Sequence, residues 1–124
     1  MLNQVTIMGR VVTAPTTRKA GKEHVVCDFS VAVDRDYKDA DGNYPTDFFR
    51  VTAWDGTAEF IANYFAEIGT PMIVTGRLIL NQWETDEGEK RQSVLIQAEH
   101  VYFAERKTKT ETAEKSQRKT YGKR

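Results

Sequence analysis

Residues 46–54, TDFFRVTAW, bring three aromatic rings and a guanidinium into one short run. In an extended strand successive side chains alternate, so Phe48, Arg50, Thr52 and Trp54 share one face while Phe49, Val51 and Ala53 share the other. The second set is apolar and suits a core. The first presents a phenyl, a guanidinium and an indole together to solvent. Such rings stack on any flat base, contributing about 1 to 3 kcal/mol per base. An arginine between them adds phosphate contact or cation-π stacking. Closing the end of a β-structure, or a subunit contact, would use the same side chains, and spacing alone leaves the readings level.

Two more aromatics tip that balance. Tyr37 stands beside Arg35 and Lys38 at the start of one polar hairpin, and Trp83 lies in another, with Arg77 before it and Lys90-Arg91 after. Rings flanked by cations in loops are poor core material, and loops on a rigid scaffold are where binding residues concentrate. With Arg10, Arg35, Lys38, Arg50, Arg77 and Arg91 as phosphate-neutralising candidates, the set fits a single strand. A duplex offers few free base faces. Arg18, Lys19 and Lys22 are weaker candidates, equally suited to a solvated loop.

The elements that must hold these residues follow from periodicity. Leu2–Val12 alternates through Val5, Ile7, Gly9 and Val11, and reads as a strand. Ala14–Glu23, with Pro15 and Gly21, reads as a loop. His24–Arg35 is a second strand and Thr46–Trp54 a third, separated by turn chemistry that includes Asp41-Gly42. From Asp55 to Gly69 the period becomes helical, with Phe60, Ile61, Tyr64, Phe65 and Ile68 recurring, and Gly69 and Pro71 mark the end. Met72–Asn81 and Gln92–Phe103 are two further strands joined by the hairpin Gln82–Arg91. An all-β chain of five strands, with one short helix between the third and fourth, has the element order of the oligonucleotide-binding (OB) fold, a partly open barrel. Small sandwiches and other five-stranded barrels share parts of it.

The 124 residues fit one domain, 1–104, and an appendage, 105–124. The appendage is Lys-, Arg-, Thr- and Glu-rich, has Tyr121 as its one large apolar residue, and is expected to be a disordered basic tail. Net charge is zero, but residues 1–104 carry 10 Lys+Arg against 15 Asp+Glu, whereas 105–124 carry 8 against 3. An acidic body argues against a phosphate-rich partner unless its cations gather on one face. No apolar run approaches the roughly 18 residues of a membrane span. With no leader-like segment ahead of the first strand, a cytoplasmic, nucleoid-associated protein is expected. Cys27, the sole cysteine, excludes an internal disulfide and a cysteine-based zinc site, and is expected to be buried.

Other chemistry has thin support. Asp34, Asp36, Asp39 and Asp41 crowd one hairpin, but a calcium loop in that register would need ligands at Tyr37 and Phe48. A solvated turn fits better. His24 and His100 lack zinc-enzyme spacing, and read as structural or, for His24, simply exposed. Ser30 and Cys27 sit on no nucleophile elbow. No enzyme, metal or cofactor is expected. The alternative is a protein-interaction or primosomal accessory module using the same exposed rings.

Three segments carry a resemblance. Asn3-Gln4-Val5-Thr6-Ile7-Met8-Gly9-Arg10, Trp54-Asp55-Gly56-Thr57-Ala58-Glu59 and Thr75-Gly76-Arg77-Leu78, in that order, resemble the bacterial and phage single-stranded-DNA-binding proteins over most of residues 1–103. The resemblance implies an OB fold and sequence-independent binding of single-stranded DNA in replication, recombination or repair. It also implies a homotetramer, less often a dimer, and four stacking positions, here Tyr37, Phe48, Trp54 and Trp83. Typical cellular members end in an acidic tip closing on Pro-Phe that recruits other enzymes. This sequence ends Lys119-Thr120-Tyr121-Gly122-Lys123-Arg124, so that recruitment role is not carried over.

Overall fold

A computed structural model describes residues 1–104; the expected basic tail, 105–124, lies outside the described residues. The elements are β1 (Val5–Val11), β2 (Thr16–Ala20), β3 (His24–Asp34), β4 (Thr46–Trp54), α1 (Asp55–Tyr64), β5 (Pro71–Glu84) and β6 (Lys90–Phe103). The mostly-β reading with one short helix holds, with one strand more than expected. Residues 14–23, read as a loop, contain β2, which pairs antiparallel with β3 from Thr16↔Asp28 to Ala20↔His24. Consecutive threonines before the Gly21 turn were the available signal, since β-branched residues suit a pleated surface.

The sheet order is β1-β5-β6-β4-β3-β2, and an extra β1–β3 pairing joins the ends of the five longer strands into a ring. Two pairings close it. β1 meets β3 only at Arg10↔Ala32 and Val11↔Val31, and β4 meets β6 in parallel over Arg50↔Leu95 to Thr52↔Gln97. Inside lie Val11, Phe29, Val31, Val51, Ala53, Met72, Val74 and Ile96, all nearly or fully buried. Burying such side chains, at about 1.5–3 kcal/mol each, is the main force closing the ring. The β5–β6 register shifts by one residue at Thr75/Gly76, where Glu99 of β6 is left out of the pairing. A Cβ on Gly76 would run into the backbone of Gln97 in β6, so the close approach requires glycine.

The helix ends earlier than its periodicity suggested. Ala58 and Ile61 are buried, but Phe65 leaves the helical path, its amide still bonded to the Ile61 carbonyl at 2.8 Å. Its ring stacks on Phe103 with centroids 4.9 Å apart and is fully buried. Closing the end of the core with Phe65 therefore stops the helix, and Ile68, expected on its apolar stripe, is exposed in the following turn. That turn is bonded to β1, with the Gly69 amide donating to the Val11 carbonyl at 2.7 Å.

Candidate single-stranded nucleic-acid interface

Burial along β4 alternates as the strand pattern predicted: Val51 and Ala53 are buried, while Phe48 (67 %) and Trp54 (42 %) are exposed. Cross-strand partners point to the same side of a sheet, so register extends this face to neighbouring strands. Phe48 lies opposite Ala32, itself opposite Arg10. Arg50 lies opposite Ser30 on one side and Leu95 on the other. Thr52 pairs with Gln97, which pairs with Arg77. From Arg77 the same parity runs through Ile79 and Asn81 to Trp83, opposite Arg91.

Trp83 and Arg91 are thus strand residues rather than loop residues. The turn is only residues 85–89, tightened by Gly88 at φ 85° and by the Thr85 hydroxyl, which accepts the Glu89 amide at 3.1 Å. The ribbon carries Trp83 (48 % exposed) beyond the body, over an open groove lined by Lys90 and Arg91.

Tyr37 is held differently. It lies in the 35–45 connection, where the Asp39 carboxylate accepts the amides of Asp41 and Asn43 at 2.9 Å each and Gly42 takes φ 85°. Asp34 accepts the Thr46 hydroxyl at 2.7 Å. Two of the four crowded carboxylates, Asp34 and Asp39, therefore hold the connection, and among the described residues no His/Cys/Asp/Glu group is arranged for a metal. Arg35 grips Asp47 with two bonds of 2.9 Å and donates to the Tyr37 hydroxyl at 2.8 Å. Those bonds hold the Asp47 carboxyl below its ordinary range and push Arg35 further up. Tyr44, not singled out from sequence, is also exposed, with Lys38 5.8 Å from its ring centre.

The six cations divide into two groups. Arg10 pairs with Asp34 at 3.3 Å, Arg35 with Asp47 and Arg91 with Glu89 at 2.6 Å, all at exposed sites where such pairs contribute about 0–1 kcal/mol and yield to competing anions. Among the described residues no ion pair engages Lys38, Arg50 or Arg77. Of the weaker candidates, Arg18 pairs with Asp28 at 3.1 Å and lies across Val26 from Trp54.

Sequence reasoning also missed His24. It is exposed, as expected, but partnered: its ring meets the Trp54 indole edge-on at 5.9 Å, and its Nδ1 lies 2.9 Å from the Asp55 carboxylate. Nothing local announces a contact that spans residues 24 and 55. Cys27 is buried as expected, and burial, aided by nearby Asp28, pushes its thiol up to about 11.

A sheet face of spaced rings and cations over an apolar ring of strands has the parts needed to stack bases and meet phosphates. The sequence profile of the Single-strand binding protein family matches residues 2–104. A single-stranded DNA-binding protein of Thermotoga maritima is 38 % identical over 117 residues, covering 90 % of this chain and 82 % of the relative. Single-stranded DNA-binding protein A of Bacillus subtilis is 33 % identical over 107 residues, covering 86 % and 62 %. A small single-stranded DNA-binding protein from Streptomyces coelicolor has a crystal structure that superposes with a TM-score of 0.67 at 26 % identity, covering 83 % of this chain and 95 % of that one. The chain belongs to the Single-strand binding protein family.

Proposed function

We propose that this chain binds single-stranded DNA without sequence preference, as an OB barrel formed by residues 1–104, with the strand lying along the outer face of β4 and up the β5–β6 ribbon. The observation that carries the path is one continuous register, which puts Phe48, Arg50 and Trp54 on the same face as Arg77 and Trp83. Tyr37 grips the strand from the 35–45 connection. Arg50, Arg77 and Lys38 meet phosphates directly, and Arg10, Arg35 and Arg91 do so by exchanging a carboxylate for a phosphate, a replacement between anions of similar geometry. The basic segment 105–124 adds phosphate contacts.

Two further apolar surfaces fit assembly of copies into a homotetramer. Leu78, Leu80 and Val94 are exposed on the ribbon face opposite Trp83, with Leu80 and Val94 directly paired, and Met8 and Tyr102 are exposed on β1 and β6. Exposed stripes of this kind on a small domain are typical subunit contacts. The work is non-enzymatic. Transiently unpaired DNA is met in the cytoplasm, at the nucleoid, during replication, recombination and repair.

The test is tryptophan fluorescence during titration with polythymidine, with duplex DNA as control and salt varied. Quenching by the single strand alone, with affinity falling as salt rises, is the expected result. Absence of both quenching and binding would move the exposed rings to a protein contact, the role of an interaction module.

A further inference from the structure

Trp54 ends β4, and the backbone turns sharply after it: Asp55 takes φ 53°, in the left-handed region that non-glycine residues seldom occupy. That turn is held from β3. The Asp55 carboxylate accepts the Val25 amide at 3.1 Å and meets His24 Nδ1 at 2.9 Å, while the same imidazole stands edge-on to the Trp54 indole. One carboxylate thus fixes the conformation that follows the stacking ring and orients a second ring beside it. With Nδ1 engaged, Nε2 is the imidazole atom left for a ligand, and the ring is more than half exposed.

From this geometry we infer that His24 is a further strand-contacting residue, one whose proton controls a phosphate contact beside Trp54. The inference rests on the strand path proposed above. When the imidazole is protonated, the His24–Asp55 pair is neutral and Nε2–H donates to a phosphate oxygen. When it is neutral with its proton on Nδ1, the pair carries one negative charge and Nε2 presents a lone pair, so the same phosphate is repelled.

The hydrogen bond from His24, and secondarily that from the Val25 amide, holds the Asp55 carboxyl below its ordinary range, so Asp55 stays ionised across the interval where imidazoles titrate. The charged neighbours are Arg18, in the row of Trp54 and paired with Asp28; Lys19, next along β2; Lys22 and Glu23 in the β2–β3 turn; and Glu59 on α1, which packs against β2 and β3. Among the described residues Asp55 is the ion-pair partner of His24.

The measurement is polythymidine affinity against salt at about pH 8 and about pH 5.5. It is made on the full chain and on His24→Gln, His24→Lys, His100→Gln and Trp54→Ala. The unsubstituted chain is expected to bind about two- to fivefold more tightly at the lower pH, the range for one exposed charge contact. Its log–log salt slope should be steeper there by up to about 0.7, the increment for one phosphate on a single strand. His24→Gln should lose both responses, His24→Lys should show the steeper slope at both pH values, and His100→Gln should behave as the unsubstituted chain. A response that survives in His24→Gln, or that disappears in His100→Gln instead, overturns the inference. If Trp54→Ala remains folded and binds unchanged, the strand path itself has failed. If Trp54→Ala weakens binding while His24→Gln keeps the pH response, the inference about His24 alone has failed.

Discussion

The row on β4 and the rings of the 35–45 connection present aromatic surface by different means. Phe48 and Trp54 are aimed by the backbone ladder: β4 is paired with β3 along its whole length, and every second side chain must face outward. Tyr37 has no ladder. Its place depends on the Arg35 guanidinium, which bonds its hydroxyl and is anchored on Asp47. A ring aimed by the ladder is held in place by backbone pairing, whereas a ring aimed by exposed side chains can be released by changing one charge. The same contrast separates Trp54 from Trp83, which shares the register but stands on a two-stranded ribbon outside the core, where ordering on binding costs conformational entropy.

Substitutions can break that contrast. Trp54→Ala should produce the largest loss of polythymidine affinity, about 1–3 kcal/mol, or roughly 5- to 150-fold in Kd, with thermal stability nearly unchanged because the indole is exposed. Trp83→Ala should cost less within the same range; a larger effect in a binding titration would mean that the ribbon, not the body, carries the main stacking. Arg35→Ala should weaken binding within about fivefold, the range for one exposed charge contact. If Tyr37→Phe, which removes the hydroxyl but keeps the ring, matches Arg35→Ala, then Arg35 acts by positioning rather than by touching phosphate.

Acid sharpens the comparison. Hydrogen bonds, led by Thr46 to Asp34, Arg35 to Asp47 and His24 to Asp55, lower the pKa of these three carboxyls in the folded chain. A lowered folded-state pKa contributes stability that is present above the unfolded value, near 3.9, and is lost as pH falls through the folded value. Melting temperature should therefore hold down to about pH 4 and drop below it. Asp47→Asn should flatten that drop by a small amount, because the pair is exposed and solvent screens it. The smallest signal is chemical: Cys27, buried and with its thiol raised to about 11, should resist an aromatic disulfide reagent at neutral pH until the protein unfolds.

The outward face of β4 was legible from residues 46–54 alone, and the structure places Thr46–Trp54 as one strand with that alternation. The helix was legible as a period, but its end was not, because Phe65 is drawn from the helical path by a ring on β6. β2 was missed for a related reason. Its residues are polar and exposed, and only pairing to β3 makes Thr16–Ala20 a strand. Trp83 was found by type and neighbours but placed in a loop, since Gln82, Glu84 and Lys90 read as turn chemistry until cross-strand pairing extends the ribbon through them.

Local pattern by itself determined which residues alternate, where the chain turns, and which rings and cations had no place in a core. Those properties depend on backbone geometry over a few residues, and a strand's period of two leaves little choice once one face is apolar. Tertiary structure alone decided which cations are engaged by carboxylates, that Trp83 shares the face of Trp54, and that His24 stands against Trp54 with Asp55 behind it. Each of these joins residues from different strands or across a connecting loop, and the closure of the ring by a few pairs between β1 and β3 and between β4 and β6 sets their meeting. Short-range periodicity carries no record of that closure, because the energy that selects it comes from apolar side chains on the opposite face of the same strands.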